Sequence, residues 1–345
     1  MKLKKWIALA LSAVLAVSLT GCIGNLYENV GTIDGTTVSS GLYLMYQYNA
    51  HSVAKSRVAD QAQDMFGQEI EGKKTADWIS DRTEDHLRRY VAVQRLAREH
   101  DVQLSSEAQD NINQTMQYWS YMEDAYKNNG ISQNTYLRYM TNEETRKALF
   151  KELYKEDGEF GVPDAQLKEE YADANAHVQS YAFAYNGSAE GDKKDEITAL
   201  AEEAAKALDG GADFEAVVAE YAEKAAEILG DAETFDAATA TAAIKDEYIP
   251  YEAGSSTTYS DDFLAELKGQ AVGDAGTYNL GTTLMLYQKM EPFASDEAFL
   301  EMRDTVVSEL REDDFDAYLH TIYDDYAADW AMGARGYFNP KNVKG

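Results

Sequence analysis

Apolar side chains recur every three to four residues in the first half of the chain, the spacing of helices that bury one face. The clearest stripe comprises Trp78, Ile79, Leu87, Tyr90, Val91, Val93, Leu96 and Ala97. Serine residues that suit helix N-caps precede most of these stretches. The predicted helices run from Ser39/Ser40 towards Met65, from Thr75 to His100, from Ser105/Ser106 to Asn128, from Ser132 to Tyr154, and from Asp164 to Ala174.

A strand pattern comes before the first of these helices. In VGTIDGTTVS, two short β-prone runs flank Asp34-Gly35, which is a strong signal for a two-residue hairpin turn. The chain is therefore expected to lead into its helices through a β-hairpin.

The pattern changes near residue 178. VQSYAFAY, residues 178–185, combines β-branched and aromatic residues without Gly or Pro and predicts a strand. Further along, the predicted elements are helices at Asp195–Leu208, Asp213–Ala226 and Asp261–Lys268, irregular loop with a short strand at 230–258, and a strand at Thr282–Met290. Mixed strands and helices of this kind indicate a compact α+β domain.

The last large element is expected to be one helix from Ser295 to Trp330. Its apolar stripe comprises Phe299, Met302, Val306, Leu310, Phe315, Leu319, Ile322, Tyr326 and Trp330. Such a face needs a partner to cover it. The tail GARGYFNPKNV is long enough for one terminal strand.

The first residues have the order of a secretory leader. Lys2, Lys4 and Lys5 precede an uncharged apolar run from Trp6 to Leu19, and LTGC follows. LTGC is similar to a bacterial lipobox, in which Cys22 takes the lipid; the alternative is an ordinary leader with a chance cysteine. Cys22 is the only cysteine, so no disulfide forms within the chain. Residues 23–29 then make a short tether that keeps the folded part close to the membrane.

Charge and motifs exclude several function classes. The 31 Lys and Arg residues against 61 Asp and Glu residues give a net charge of −30, which disfavours nucleic acid as a partner. The five histidines lack metal-ligand spacing, and nucleotide-binding and hydrolase motifs are missing. Acidic pairs such as Asp261-Asp262 favour solvated helix faces, with calcium binding as a weaker alternative. No catalytic residue, metal site or cofactor is assigned.

Aromatic and Met side chains crowd the segment QTMQYWSYMEDAY. It contains Tyr118, Trp119, Tyr121 and Met122. One interpretation is the core of a helix bundle. The other is an adaptable surface that binds unfolded polypeptides, because Met and Tyr suit promiscuous contacts.

Three segments, taken with LTGC, carry a resemblance to a known family. They are VGTIDGTTVSSGLYLMYQ with the helix that follows it, VQSYAFAY with ITALAEEAAKALDGGADFEAVVAEYA, and DDFLAELKGQAVGDAGTYNLGTTLMLYQKM. Together they resemble the extracytoplasmic foldase lipoproteins and chaperones of the PrsA/SurA type. That family joins a helical chaperone module to a parvulin-type peptidyl-prolyl isomerase domain.

The resemblance implies an α+β fold with four parts. Residues 1–21 would be a lipoprotein signal peptide and residues 22–176 a SurA-N-like helical chaperone module. Residues 177–292 would form a parvulin-like α+β domain, and residues 293–345 would return as a helix and strand that complete the chaperone module.

The resemblance also identifies where the isomerase site would lie, and this chain departs from it. Parvulins resemble one another in two facing histidines, a neighbouring Cys or Asp, and Met and Phe in the proline pocket. Here those positions fall at Ala182, near Thr283 and near Lys224. Phe263 matches the pocket phenylalanine and Tyr259 stands where Met is usual, although a plain core role for Phe263 is an equal alternative.

Three functions follow from these observations. The leading hypothesis is a chaperone or foldase, anchored outside the cytoplasm through lipidated Cys22, that binds unfolded or partly folded secreted polypeptides. Its client contacts would include Phe263, Tyr259, Tyr118, Trp119, Tyr121 and Met122, and its parvulin-like domain would be weakly active or inactive. The alternatives are an active peptidyl-prolyl cis-trans isomerase with an altered site and an adaptor lipoprotein specific for one folded partner.

Overall fold

The computed structural model describes residues 27–344, and these form two compact units. The first unit takes the chain up to Gly161 together with the chain from Glu312 onward, and the second is Val162–Arg311. The predicted α+β class is confirmed. Within the described range, no helix combines the length and apolar character needed to cross a membrane. The predicted signal peptide and Cys22 lie outside the described residues.

The first unit is mainly helical. Its elements are β1 (Asn29–Ile33), β2 (Thr36–Ser39), α1 (Ser40–Arg57), β3 (Glu69–Ile70), β4 (Lys73–Lys74), α2 (Thr75–Glu99), α3 (Ser106–Gln117), α4 (Trp119–Asn128) and α5 (Gln133–Tyr154). Near the C-terminus follow the last part of α11 (Asp296–Tyr323), β9 (Ala328–Trp330) and α12 (Ala334–Tyr337).

The predicted hairpin is confirmed and receives a third strand from the C-terminal part of the chain. Asp34 (φ 44°) and Gly35 (φ 76°) form its turn, with the positive φ values that a tight hairpin requires. β1 pairs antiparallel with both β2 and β9, so the sheet order is β2-β1-β9. At Gly31 a Cβ atom would clash with the Asp329 carbonyl oxygen, so only glycine lets β9 approach.

The returning chain contributes to the core of the first unit. Ala334 is fully buried and Phe338 is 5% exposed in a cluster with Val30, Tyr43 and Leu87. The buried Gln47 amide donates to the Phe338 carbonyl at 2.7 Å. Residues from the two ends of the chain therefore share one core, in agreement with the expected completion of this module by the C-terminal segment.

Two predicted helices in this unit were wrong in extent. α1 ends at Arg57 rather than near Met65. Val58 is the last buried position, residues 59–64 are exposed, and Asp60 and Gln68 bond the backbone there instead. The third predicted helix is divided at Tyr118 into α3 and α4.

The predicted helix to Trp330 was also too long. α11 ends at Tyr323, because the chain beyond it bonds to distant residues. The Tyr326 carbonyl accepts from Arg88, the Ala327 carbonyl accepts from the Asp34 amide, and Trp330 lies in β9. The terminal strand therefore precedes GARGYFNPKNV, whose residues form α12 and a 3-10 turn at Pro340–Asn342.

The second unit is built on a four-stranded antiparallel sheet. Its elements are α6 (Asp164–Ala174), β5 (Asn175–Ala184), α7 (Lys194–Asp209), α8 (Phe214–Leu229), α9 (Ala237–Ala242), β6 (Lys245–Pro250), α10 (Asp261–Gly269), β7 (Ala275–Asn279), β8 (Thr283–Lys289) and the first part of α11. The strand order is β6-β5-β8-β7. α7 and α8 cover one face through Phe183, Leu284 and Leu286, and α10 covers part of the other.

The VQSYAFAY strand and the helices around it are confirmed, but α9 and β7 were not predicted. The sequence of α9 is AATATA and that of β7 is AGTYN. Both are too short and too weakly apolar to show the periodicity that identifies a helix or a strand. The compact unit also begins before residue 177 and ends after residue 292, because α6 and the first part of α11 are included in it.

Candidate functional site

The candidate site lies on the sheet face of the second unit that α10 partly covers. Side chains alternate along β5, so Ala176, Val178, Ser180 and Ala182 share this face. Met285 pairs with Ala182 across β8. Phe263, from α10, and Met285 belong to one buried cluster on this face.

Phe263 is at the centre of that cluster. Ser260 caps α10 by accepting the Phe263 amide at 3.3 Å, which fixes where the helix begins above the sheet. The Phe263 ring is 5% exposed and lies 5.4 Å from Tyr259, 4.2 Å from Tyr278 and 5.3 Å from Tyr287, measured between ring centroids. Phe263 is thus a core residue in this conformation, covered by three tyrosine rings.

Polar groups converge beside this aromatic cluster. The Tyr259 hydroxyl donates to Glu247 Oε1 at 3.4 Å and lies 3.7 Å from Met285 Sδ. The Ser180 hydroxyl donates to the same Glu247 oxygen at 3.2 Å. Burial, together with the Glu247 charge, raises the pKa of Tyr259 to about 12. Tyr259 therefore stays protonated at neutral pH and remains a hydrogen-bond donor.

The positions that match the family histidines share this face but carry no titratable group. Ala182 is exposed, and Thr283 pairs with Ala184 on the same face. Lys224 lies on α8, which packs against the opposite face, and its ammonium bonds to Glu220 at 2.6 Å. The structure therefore brings Ala182 and Thr283 together on one sheet face and leaves Lys224 on the other side of the sheet.

The histidine of β5 itself does not replace them. His177 stacks on Tyr248 at 4.6 Å between ring centroids, and its two nitrogens meet Asp246 at 2.5 Å and the Glu291 carbonyl at 2.6 Å. It is five residues from Ala182, so strand alternation places it on the other face. His177 therefore joins β5, β6 and the segment after β8 rather than the aromatic cluster.

A second candidate surface lies where α3 meets α4 in the first unit. Tyr118 is 62% exposed and Tyr121 is 85% exposed, with ring centroids 6.3 Å apart. Trp119, between them, is 5% exposed and stacks on Tyr126 in a core with Met45. Met122 is partly buried against the same core. Of the four residues singled out in this segment, two face solvent and two support them.

Sequence reasoning missed Glu247, Ser180, Tyr278 and Met285 as site residues. Glu247 lies in KDEYIP, within the stretch expected to be mostly irregular. Glu247 and Ile249 are two residues apart and therefore share one face of a strand. Two positions are too few to define that face from the sequence.

Among residues 27–344, no group of three or more His, Cys, Asp or Glu side chains is arranged to hold a metal ion. The candidate site combines the hydrogen-bonding groups of Tyr259, Ser180 and Glu247 with an apolar cluster.

Comparisons with known proteins found similar chains only among solved structures. No family profile matches the chain, and no curated protein does. The chain is similar to foldase protein PrsA from Streptococcus pneumoniae strain Canada MDR_19A, at 11% identity and a TM-score of 0.37, with 92% of this chain and 94% of that chain covered. It is also similar to PrsA from Bacillus subtilis, at 15% identity and a TM-score of 0.30, with 74% and 87% covered.

Proposed function

We propose that this protein is a lipid-anchored, extracytoplasmic chaperone or foldase that binds unfolded or partly folded secreted polypeptides. The observation that carries the proposal is the exposure of Tyr118 (62%) and Tyr121 (85%) side by side at the junction of α3 and α4. Adjacent large apolar groups that face solvent form the kind of contiguous patch that marks an interaction site.

The helices that hold these rings suit variable clients. α3 buries only Ile112 and α4 only Trp119, while Met116 and Met122 lie partly buried against the core beneath them. Segments with few buried contacts rearrange at low cost. Flexible Met side chains then adjust to different apolar sequences, which is the property that a promiscuous binder needs.

The parvulin-like domain is proposed to be weakly active or inactive. An isomerase must hold the proline ring in an apolar pocket and stabilise the twisted amide, whose barrier is about 18–20 kcal/mol. Here Ala182 and Thr283 stand where paired histidines are usual, and Tyr259 and Tyr278 cover Phe263. These departures support client binding, rather than isomerisation, as the main activity.

Suppression of aggregation tests the chaperone proposal. The chain from Ile23 onward should slow the aggregation of several unrelated unfolded proteins. Tyr118→Ser/Tyr121→Ser should weaken that effect several-fold, whereas Val272→Ser, which changes a 46% exposed side chain in the other unit, should not. Equal protection by wild type and the double variant would contradict the proposal.

A specific observation favours an altered isomerase as the second candidate. The Tyr259 hydroxyl, fixed by Glu247 next to Met285, is a protonated donor beside an apolar cluster. When a substrate amide displaces Glu247 as the acceptor, this hydroxyl donates its one proton to the twisted amide instead. Acceleration of proline isomerisation in a model peptide that Tyr259→Phe abolishes would support this candidate; no acceleration by folded wild type would exclude it.

The adaptor alternative makes a different prediction in the first experiment. A protein that binds one folded partner has no reason to protect unrelated unfolded chains. Protection of a single client, unaffected by Tyr118→Ser/Tyr121→Ser, would favour the adaptor.

A further inference from the structure

A small apolar patch lies beside the first described residues of the chain. Met332 is 95% exposed and Tyr337 is 44% exposed. Gly333, at φ 80°, makes the tight turn that presents Met332 to solvent. The Tyr27 hydroxyl donates to the Met332 carbonyl at 2.7 Å, and the Tyr27 ring meets Tyr337 edge-on at 5.6 Å.

The position of Tyr27 limits how far this patch can lie from the predicted anchor. Four residues lie between Cys22 and Tyr27, so five Cα–Cα steps join them. A fully extended chain of that length spans at most about 17 Å. If Cys22 carries lipid, as proposed above, Tyr27 lies no farther than this span from the lipidated residue at the bilayer surface. Tyr27 contacts both Met332 and Tyr337, so the patch also lies near the bilayer.

The charge of the surrounding segment differs from that of the rest of the protein. Residues 331–345 carry Arg335, Lys341 and Lys344 and no Asp or Glu side chain, in a chain with a net charge of −30. Charges interact appreciably only within a screening length of about 8 Å at physiological salt. The local positive charge therefore decides how this end meets a charged surface, and the acidic remainder is repelled from it.

Nearby acidic groups offset part of this charge, chiefly at Arg335, whereas the Lys341 ammonium lies over the Phe66 ring, 5.8 Å from its centroid. Glu84 accepts from Arg88 at 2.7 Å and from Trp330 at 3.0 Å, and lies 3.8 Å from Arg335. Glu28 and Asp329 are the exposed acids adjacent in sequence.

The cationic segment is also held in place. The Asn129 side chain accepts from the Lys344 amide at 2.8 Å and donates to its carbonyl at 2.9 Å. This end of the chain is fixed to the first unit.

We propose that Met332 and Tyr337, with the cationic segment 331–344, form a surface that lies against the headgroups of an anionic bilayer. Met and Tyr side chains partition into the interface, and Arg and Lys attract anionic lipid. The surface would orient the anchored first unit on the membrane. This inference rests on the proposed lipid anchor at Cys22.

Oxidation of Met332 measures the contact directly. Because Cys22 is the only cysteine, a chain that begins there couples through its thiol to a maleimide phospholipid, which supplies the anchor chemically. The rate of Met332 sulfoxide formation is measured by peptide mass spectrometry, with Met122 of the same molecule as internal reference. Three states are compared: anchored on phosphatidylglycerol/phosphatidylcholine vesicles, anchored on pure phosphatidylcholine, and capped with N-ethylmaleimide in solution.

The expected result is a Met332/Met122 oxidation ratio lower by about threefold or more on anionic vesicles than in solution. Lys341→Gln/Lys344→Gln should reverse much of that protection, whereas Lys73→Gln/Lys147→Gln, at two exposed lysines elsewhere in the unit, should not. An unchanged ratio on anionic vesicles overturns the proposal. So does equal protection on neutral vesicles, or protection that appears in solution as protein concentration rises, which would indicate self-association.

Because the anchor is attached chemically, the vesicle experiment does not depend on whether Cys22 is lipidated in cells. Lipidation of Cys22 in cells is read independently, from the mass of the N-terminal peptide in the membrane fraction. An N-terminal peptide without lipid would refute the proposed anchor and would leave the vesicle result unchanged.

Discussion

Two tyrosine-rich regions of this protein have nearly opposite roles in the structure. Around Phe263, the rings of Tyr259, Tyr278 and Tyr287 pack on a buried side chain, and the Tyr259 hydroxyl is bonded to Glu247. At the junction of α3 and α4, Tyr118 and Tyr121 face solvent. Aromatic content alone therefore does not identify a binding surface; the difference lies in whether another element covers the rings.

The largest effect is expected at the covered region. Phe263→Ala should lower the free energy of unfolding of the second unit by about 3–5 kcal/mol, because it removes a ring that three others surround. Hydrogen exchange of the β5 and β8 amides measures this loss for the second unit separately from the first. Val272→Ala, at a 46% exposed position, should change it little. A small loss at Phe263 would mean that the cluster is loose enough to open for a proline ring.

This expectation alters the use of Phe263 as a probe of catalysis. A variant that unfolds the domain cannot distinguish a pocket residue from a core residue. Tyr259→Phe is the better probe, because it removes one hydroxyl and leaves the ring contacts with Phe263 in place.

A second difference between the two units should appear on acidification. His86, on α2 of the first unit, is half-buried 5.9 Å from the Tyr46 ring. Burial, with smaller contributions from Arg89 and Arg82, lowers the pKa of His86 to about 3. Between that value and the ordinary value of 6.5, the unfolded state binds a proton that the folded state does not. Stability of the first unit should therefore fall as pH falls through this window.

The slope should reach up to about 1.4 kcal/mol per pH unit, the limit for one proton. Chemical denaturation of wild type and His86→Gln at several pH values between 4 and 7 measures it. Carboxylates titrate in both proteins, so the difference between the two slopes isolates the histidine. Parallel slopes would show that His86 is protonated equally in the folded and unfolded states.

A smaller effect is expected from the polar side of the covered region. Tyr259→Phe removes one of the two hydrogen bonds to Glu247 Oε1 and should cost about 1 kcal/mol. Ser180 still donates to that oxygen, so the carboxylate is not left without a donor. Denaturation of the second unit measures the loss, and Ser180→Ala provides the matched variant. A gain in stability from Tyr259→Phe would mean that burial of the hydroxyl outweighs its bond to Glu247.

The sequence could predict elements whose signals are local. The stripe from Trp78 to Ala97 and the Asp34-Gly35 turn were sufficient for α2 and for the first hairpin. The end of α11 was not predictable in this way, because the Ala328–Trp330 segment continues the apolar spacing and leaves the helix only to pair with β1. A partner almost 300 residues earlier in the chain is not visible in a local pattern.

The candidate surface could be predicted only in part for a related reason. Trp119 and Tyr121 are two residues apart on α4, and side chains at that spacing point to different sides of a helix. One of them must therefore leave the core, but aromatic residues on both sides conceal which one. Packing of the Trp119 ring against Tyr126, Tyr136 and Met45 places Trp119 in the core.

The smallest effect on stability is expected where the effect on clients is largest. Tyr118→Ser/Tyr121→Ser removes two rings that face solvent, and Ser and Tyr have similar helix propensities. The free energy of unfolding of the first unit should change by no more than about 0.5 kcal/mol, as for other surface substitutions. Trp119→Ala, between them, should cost several times more because it empties a packed site. If the double variant also lost several kcal/mol, the two tyrosines would belong to the core, and weaker client binding would then follow from unfolding alone.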